Sequence, residues 1–140
     1  MGSPKSIRDD QEDAVRLLHE YYSAFSALNV AVVLPYFHEP SLLMGPQGVF
    51  AATTHPLLAD IIGPTMDGFR DRGFSRTELR VLNLKSLSAT AMSLLGIARR
   101  FKSDGDQLDQ VGVTYVMHKG DHGWKIAVVI LHDPPVDAVE

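Results

Sequence analysis

Between Lys125 and His132, six apolar residues (Ile126 to Leu131) follow one another without a charge. The run is too short to cross a membrane and is rich in β-branched side chains, so it predicts a strand buried on both faces, in the middle of a sheet. The stretches before it alternate in period two. Thr77 to Leu87, Thr90 to Phe101, Gln107 to His118 and Trp124 to His132 are four candidate strands. The turns Lys102 to Asp106 and Lys119 to Gly123 contain the glycines that tight hairpins use, so the four strands are expected to form an antiparallel meander.

Upstream of Ser75 the period is helical. Ala14, Leu17, Leu18, Tyr21, Phe25 and Leu28 recur at spacings of three and four behind the acidic cluster Asp9, Asp10, Glu12 and Asp13. This predicts an amphipathic helix of about five turns with negative charge at its N-terminus. Asn29 can cap a short second helix ending near Pro35 and Tyr36. Ser41 to Met44 and Gly48 to Ala51 flank the Gly45-Pro46-Gln47-Gly48 turn and predict a small hairpin. Thr53 or Thr54 caps a third helix with Pro56 in its first turn, and Leu57, Leu58, Ile61 and Ile62 give it an apolar stripe. Gly63-Pro64 predicts a break in that helix, or two short helices in tandem, before Met66 and Phe69 resume the pattern. Three helices and a hairpin followed by a meander predict an α+β fold: a cone-shaped, curved antiparallel sheet covered by three N-terminal helices. Residues 7–133 are expected to form its single domain, with 1–6 read as a leader or cloning remnant and 134–140 as a tail.

Composition narrows the function classes. With 140 residues and 45% hydrophobic content, one domain with its own core is expected. There is no cysteine, so disulfides and thiolate metal sites are excluded. The net charge is −4 and the 13 basic residues are scattered, which speaks against a nucleic-acid surface. No apolar run approaches the length of a membrane span, and a cytoplasmic location is the default expectation.

The order of elements resembles the nuclear-transport-factor-2-like (NTF2-like) superfamily, the cone fold of ketosteroid isomerases and SnoaL-like polyketide cyclases. The resemblance covers about Ile7 to Asp133. It rests on Tyr21-Tyr22-Ser23-Ala24-Phe25, Leu34-Pro35-Tyr36-Phe37, the Gly45-Pro46-Gln47-Gly48 turn and Gly123-Trp124-Lys125-Ile126. It implies that Tyr22 stands where the isomerases place a hydrogen-bond donor to the substrate oxyanion. It also implies that Gly45 occupies the place of their general base, and that a residue near Val113 occupies the place of their second donor. Neither residue moves a proton, so proton abstraction by that mechanism is not expected.

Strict alternation puts Val111, Val113, Tyr115 and Met117 on one face of the third meander strand. It puts Trp124, Ile126, Val128, Ile130 and His132 on one face of the last. If these faces line the cone, its pocket is apolar, bounded by Tyr22, Met44, Met66, Phe69, Val113, Tyr115, Trp124 and His132. Candidate acid/base groups are His132 beside Asp133, and His38 beside Glu39, with Tyr22 as donor. Arg99-Arg100 could meet an anionic ligand. His118 and His122 straddle a turn, and Asp104, Asp106 and Asp109 lack a closing glutamate, so no metal or other cofactor is expected. Ala127, Val129 and Leu131 are the alternate set, all apolar. An apolar outer face predicts a homodimer that covers it. The leading expectation is a small-molecule-binding protein with an apolar pocket, dimeric. The alternatives are a SnoaL-like cyclase, dehydratase or isomerase using His132 or His38 as base, and a dimerising interaction module without a ligand.

Overall fold

A computed structural model of the chain describes residues 6–135. The expected leader and tail therefore lie outside the described residues, apart from Ser6, Pro134 and Pro135. Ser6 belongs to the fold, because its hydroxyl caps the first helix by accepting the Asp9 N–H at 3.1 Å. That helix, α1 (Ile7–Phe25), buries Ala14, Leu18, Tyr21 and Phe25 along one stripe. Asp10, in its first turn, is buried and receives Lys119 Nζ at 3.0 Å.

Asn29 caps α2 (Val30–Val33), and Pro35 then fits a 3₁₀ turn over Leu34–Tyr36. The hairpin β1 (Phe37–Gly45) and β2 (Gly48–Ala52) follows. Thr54 caps α3 (His55–Asp71), whose N-terminal His55 N–H also donates to Glu39 Oε2 at 2.6 Å. The expected break at Gly63-Pro64 is absent: α3 runs through Pro64 as one helix. Pro64 is exposed, and Leu58, Ile62 and Met66, spaced four apart on the opposite side, hold the helix to the sheet. The proline therefore frees a carbonyl only on the solvent side, where water can bond it.

The meander is β3 (Phe74–Ser88), β4 (Ala91–Lys102), β5 (Gln107–Gly120) and β6 (Gly123–His132). All six strands form one sheet in the order β2-β1-β6-β5-β4-β3. The last strand is interior, as its apolar run requires. The sheet is antiparallel except where β1 lies parallel to β6. The helices cover one face only, and the core gathers there around Leu18, Leu58, Met66, Leu94, Met117 and Ile126. Two glycines allow the close packing around the bent sheet. A Cβ at Gly96 would lie 2.8 Å from the Arg80 carbonyl oxygen, and one at Gly112 would lie 2.5 Å from His132 Nδ1.

Strict alternation fails in β6, with large consequences. Met117 pairs with Ile126 and Val116 with Val128, so Ala127 has no partner on β5. This bulge shifts the strand by one residue and exchanges its faces beyond that point. Trp124 and Ile126 point into the core as expected. After the bulge it is Val129 and Leu131, opposite Tyr115 and Val113, that face inward. Val128, Ile130 and His132 lie on the outer face instead. The expected inward set is therefore wrong beyond Ile126, and so is the outer set of Val129 and Leu131. The run is also not fully buried on both sides, since residues 127–132 are each half-buried.

The substitution Val129→Asp tests the exchange of faces. It should lower stability by about 3 kcal/mol or more in urea unfolding, because it buries an unpaired charge. A loss below about 0.5 kcal/mol, the usual effect at a surface position, would put Val129 back on the outside.

Candidate functional site

A cavity of about 120 Å³ lies between the helices and the concave face of the sheet. Tyr21, Tyr22 and Phe25 of α1 and Ile61, Ile62, Thr65 and Phe69 of α3 close one side. Thr77, Ala98, Arg100, Val113, Tyr115, Val129, Leu131 and Leu43 form the sheet side, with Phe37 at the edge. The wall is apolar except for three phenols, two threonine hydroxyls and one guanidinium. Among the described residues it contains no carboxylate and no imidazole.

The phenols are held by ring packing. Tyr21 meets Phe25, Tyr36 and Phe37 edge-on, with ring centroids 5.9, 6.2 and 5.4 Å away. Tyr22 and Tyr115 meet edge to face at 6.3 Å, and their hydroxyls share a hydrogen bond of 2.5 Å. Burial raises all three phenol pKa values. For Tyr22 the value is pushed up to about 12, with the bond from Tyr115 and the nearby Arg100 charge partly offsetting the desolvation. Tyr115 and Tyr21 are also raised, chiefly by burial. At neutral pH these groups are protonated, so the cavity presents O–H donors and no base.

Arg100 stands at the wall with its Cζ 5.0 Å from the Phe69 ring centroid. Its Nη1 donates to Asp109 Oδ1 at 3.2 Å, and Arg72 Nη1 reaches Asp109 Oδ2 at 3.1 Å. Cross-strand register makes this contact, since Arg100 of β4 faces Asp109 of β5. Arg99, its neighbour in sequence, points the other way and is exposed.

Among the residues expected to line the pocket, Tyr22, Phe69, Val113 and Tyr115 do so. Met66 and Trp124 do not: both are buried in the core, and Trp124 borders a separate surface depression with Leu17 and Lys119. Met44 pairs with Ile130 on the outer face, because β1 lies parallel to β6 in that register. His132 is also on the outer face, carried there by the bulge. Its Nδ1–H donates to the Asp133 carbonyl at 2.7 Å, and Thr114 Oγ1–H donates to its Nε2 at 2.9 Å. Both ring nitrogens are thus engaged outside the cavity. His38 also lies outside it, with Nδ1 donating to the Pro40 carbonyl at 2.8 Å and its ring 5.4 Å from that of His118. Neither histidine is among the residues that line the cavity.

Gly45, the place of the isomerase base by resemblance, borders the wall: a Cβ there would sit 3.7 Å from Leu131 Cβ. Among the described residues no group of three or more potential metal ligands is assembled. Asp109 is engaged by two arginines, and Asp104 accepts the Asp106 N–H within its turn. Also among the described residues, no helix is long and apolar enough to cross a membrane. Sequence reasoning did not find Tyr21, Thr65 and Thr77 as lining residues. Tyr21 was legible only as part of the α1 core stripe.

Residues 10–134 match the family described as NTF2-like protein (DUF6841), and the chain belongs to that family. No curated protein matches it. Solved structures with the same fold include a domain of unknown function with a cystatin-like fold from Nostoc punctiforme. It has a TM-score of 0.72 and 16% identity, covering 96% of this chain and 83% of that one. An NTF2-like protein of unknown function from Shewanella oneidensis has a TM-score of 0.68 and 18% identity, covering 87% and 98%. A ketosteroid isomerase-like protein from Erwinia carotovora has a TM-score of 0.66 and 13% identity, covering 90% and 97%. At these identities the likeness is one of fold.

The raised phenol pKa values set a pH dependence. Unfolded tyrosines ionise near pH 10, whereas Tyr22 in the fold holds its proton to about pH 12. The Tyr22 contribution to stability is therefore complete below about pH 10 and is lost as pH rises from about 10 towards 12. Urea midpoints measured across this range should fall, and Tyr22→Phe should make the fall shallower. An unchanged slope in that variant would show that Tyr22 is not buried as described.

Proposed function

We propose that this NTF2-like protein binds a small molecule inside the cone and performs no proton-transfer chemistry there. The carrying observation is the composition of the cavity wall: apolar, with protonated tyrosines and without a carboxylate or imidazole. An apolar cavity of about 150 Å³ in another protein accepts benzene, so one of about 120 Å³ suits a single ring or a short branched chain. Tyr22 and Tyr115 supply the orienting hydroxyls that such sites use. A cyclase, dehydratase or isomerase reading with His132 or His38 as base finds no support, since both lie outside the cavity.

The binding reading is tested by thermal unfolding in the presence of one-ring compounds. Binders should raise the unfolding temperature, because a ligand of the native state alone stabilises it. Ala98→Leu, which fills the cavity from its sheet side, should abolish the rise while leaving the circular dichroism unchanged. A rise that survives Ala98→Leu would place binding elsewhere.

We further propose that the working unit is a homodimer joined through the outer sheet face. The residues differ from those expected from strict alternation. Leu42, Met44, Val116, Val128 and Ile130 occupy adjacent positions on β1, β6 and β5, and Val49, 60% exposed, continues the patch onto β2. A patch of this kind can be covered by its own copy across a two-fold axis. Light scattering at micromolar concentration should give twice the chain mass, and Ile130→Glu should give the single mass with the fold retained. A single mass for the unaltered chain would contradict dimerisation.

A further inference from the structure

The Arg100 side chain is only 15% exposed. A guanidinium carries five N–H donors, and buried polar groups are normally hydrogen-bonded. One donor of Arg100 goes to Asp109, and among the described residues none of its other donors is sealed in without a partner, so they open onto the cavity that Arg100 lines or onto solvent. The charge is also unbalanced. Arg72 and Arg100 share the single carboxylate of Asp109, which leaves one positive charge in excess in that group. The cavity wall supplies no acidic side chain to offset it.

Hydrogen-bond donors converge on the same space. The Tyr22 and Tyr115 hydroxyls line it, and the Tyr21 hydroxyl has no hydrogen-bond partner among the described residues. Arg100 and the three phenols line the same cavity. The rest of the wall is aliphatic or aromatic. A neutral hydrocarbon would fill this volume but leave the donors unmet. A dication would face an unpaired positive charge.

We propose that the molecule bound in the cone is a small monocarboxylate with an apolar body of about one ring, its carboxylate held by Arg100 and a tyrosine hydroxyl. This rests on the cone being a ligand site. Arginine matches a carboxylate in both charge and geometry, and a charge-assisted bond in a low-dielectric wall is stronger than a neutral one. Asp109 competes for the same guanidinium, so it should lower the affinity for the ligand.

The test is calorimetric titration of the full chain at neutral pH with benzoate, cyclohexanecarboxylate and isovalerate, each beside its own amide. At least one acid should bind about tenfold or more tightly than its amide, as expected for hydrogen bonds to a charged partner. Arg100→Met should abolish the preference for that acid over its amide. Asp109→Asn should tighten the acid, an effect opposite to the loss that a purely structural role of the pair would give. This variant decides the matter if Arg100→Met does not fold. Amides that bind as well as the acids would overturn the carboxylate assignment while leaving the cone a binding site. If no acid or amide binds, the ligand-site reading fails and this inference fails with it.

Discussion

Ala127 has no partner on the neighbouring strand, and the character of the cavity depends on that one residue out of step. Without the bulge, His132 would point into the cone and Val129 and Leu131 would point out. With it, Val129 and Leu131 take the inward places of Val128, Ile130 and His132, and the imidazole is kept out of the cavity. The parallel pairing of β1 carries the consequence one strand further. Leu43 is brought inward beside Val129, while Leu42 and Met44 join Val128 and Ile130 outside. A register shift of this kind is strongly fixed, because moving it back would reverse buried and exposed faces at several positions together.

The second constraint is the burial of polar groups that the fold holds but does not fully satisfy. One hydrogen bond joins Tyr22 to Tyr115 and leaves one of the two O–H groups free, and ring packing around Tyr21 fixes the α1 side of the cavity. Arg100 is tethered on one side by Asp109 and rests against Phe69. These contacts determine where the donors point without using all of them. Preorganised donors in an otherwise apolar wall distinguish a recognition site from an ordinary core, in which polar atoms are paired off or absent.

Much of the architecture was legible in the chain. The helical stripe of Ala14, Leu18, Tyr21 and Phe25, the capping residues Asn29 and Thr54, and the four alternating runs gave elements close to those observed. The family resemblance, read from the Tyr21-Tyr22 pair and the final strand, agrees with the family match. The site was harder to read. Period two assigns a face to every strand residue only while the register is unbroken, and a run of six apolar residues carries no polar marker to reveal a bulge. His132 and Met44 were misplaced for that reason. Gly63-Pro64 misled for a different one: an interior proline removes one helical hydrogen bond, and on the exposed side of α3 the freed carbonyl is open to water while the opposite face holds the helix to the sheet. Arg100 was visible as half of an Arg-Arg pair, but which arginine faced inward depended on strand pairing that the local sequence does not encode.

The central claim is that an accessible apolar cavity lies between the α1 tyrosines and the concave face of β5 and β6. Xenon enters dry apolar cavities without needing hydrogen bonds, so it reports the space independently of any ligand chemistry. In a crystal pressurised with xenon, density is expected within van der Waals distance of Val113, Val129 and Leu131. A cone closed by repacked side chains, with no xenon between the helices and the sheet, would contradict the account.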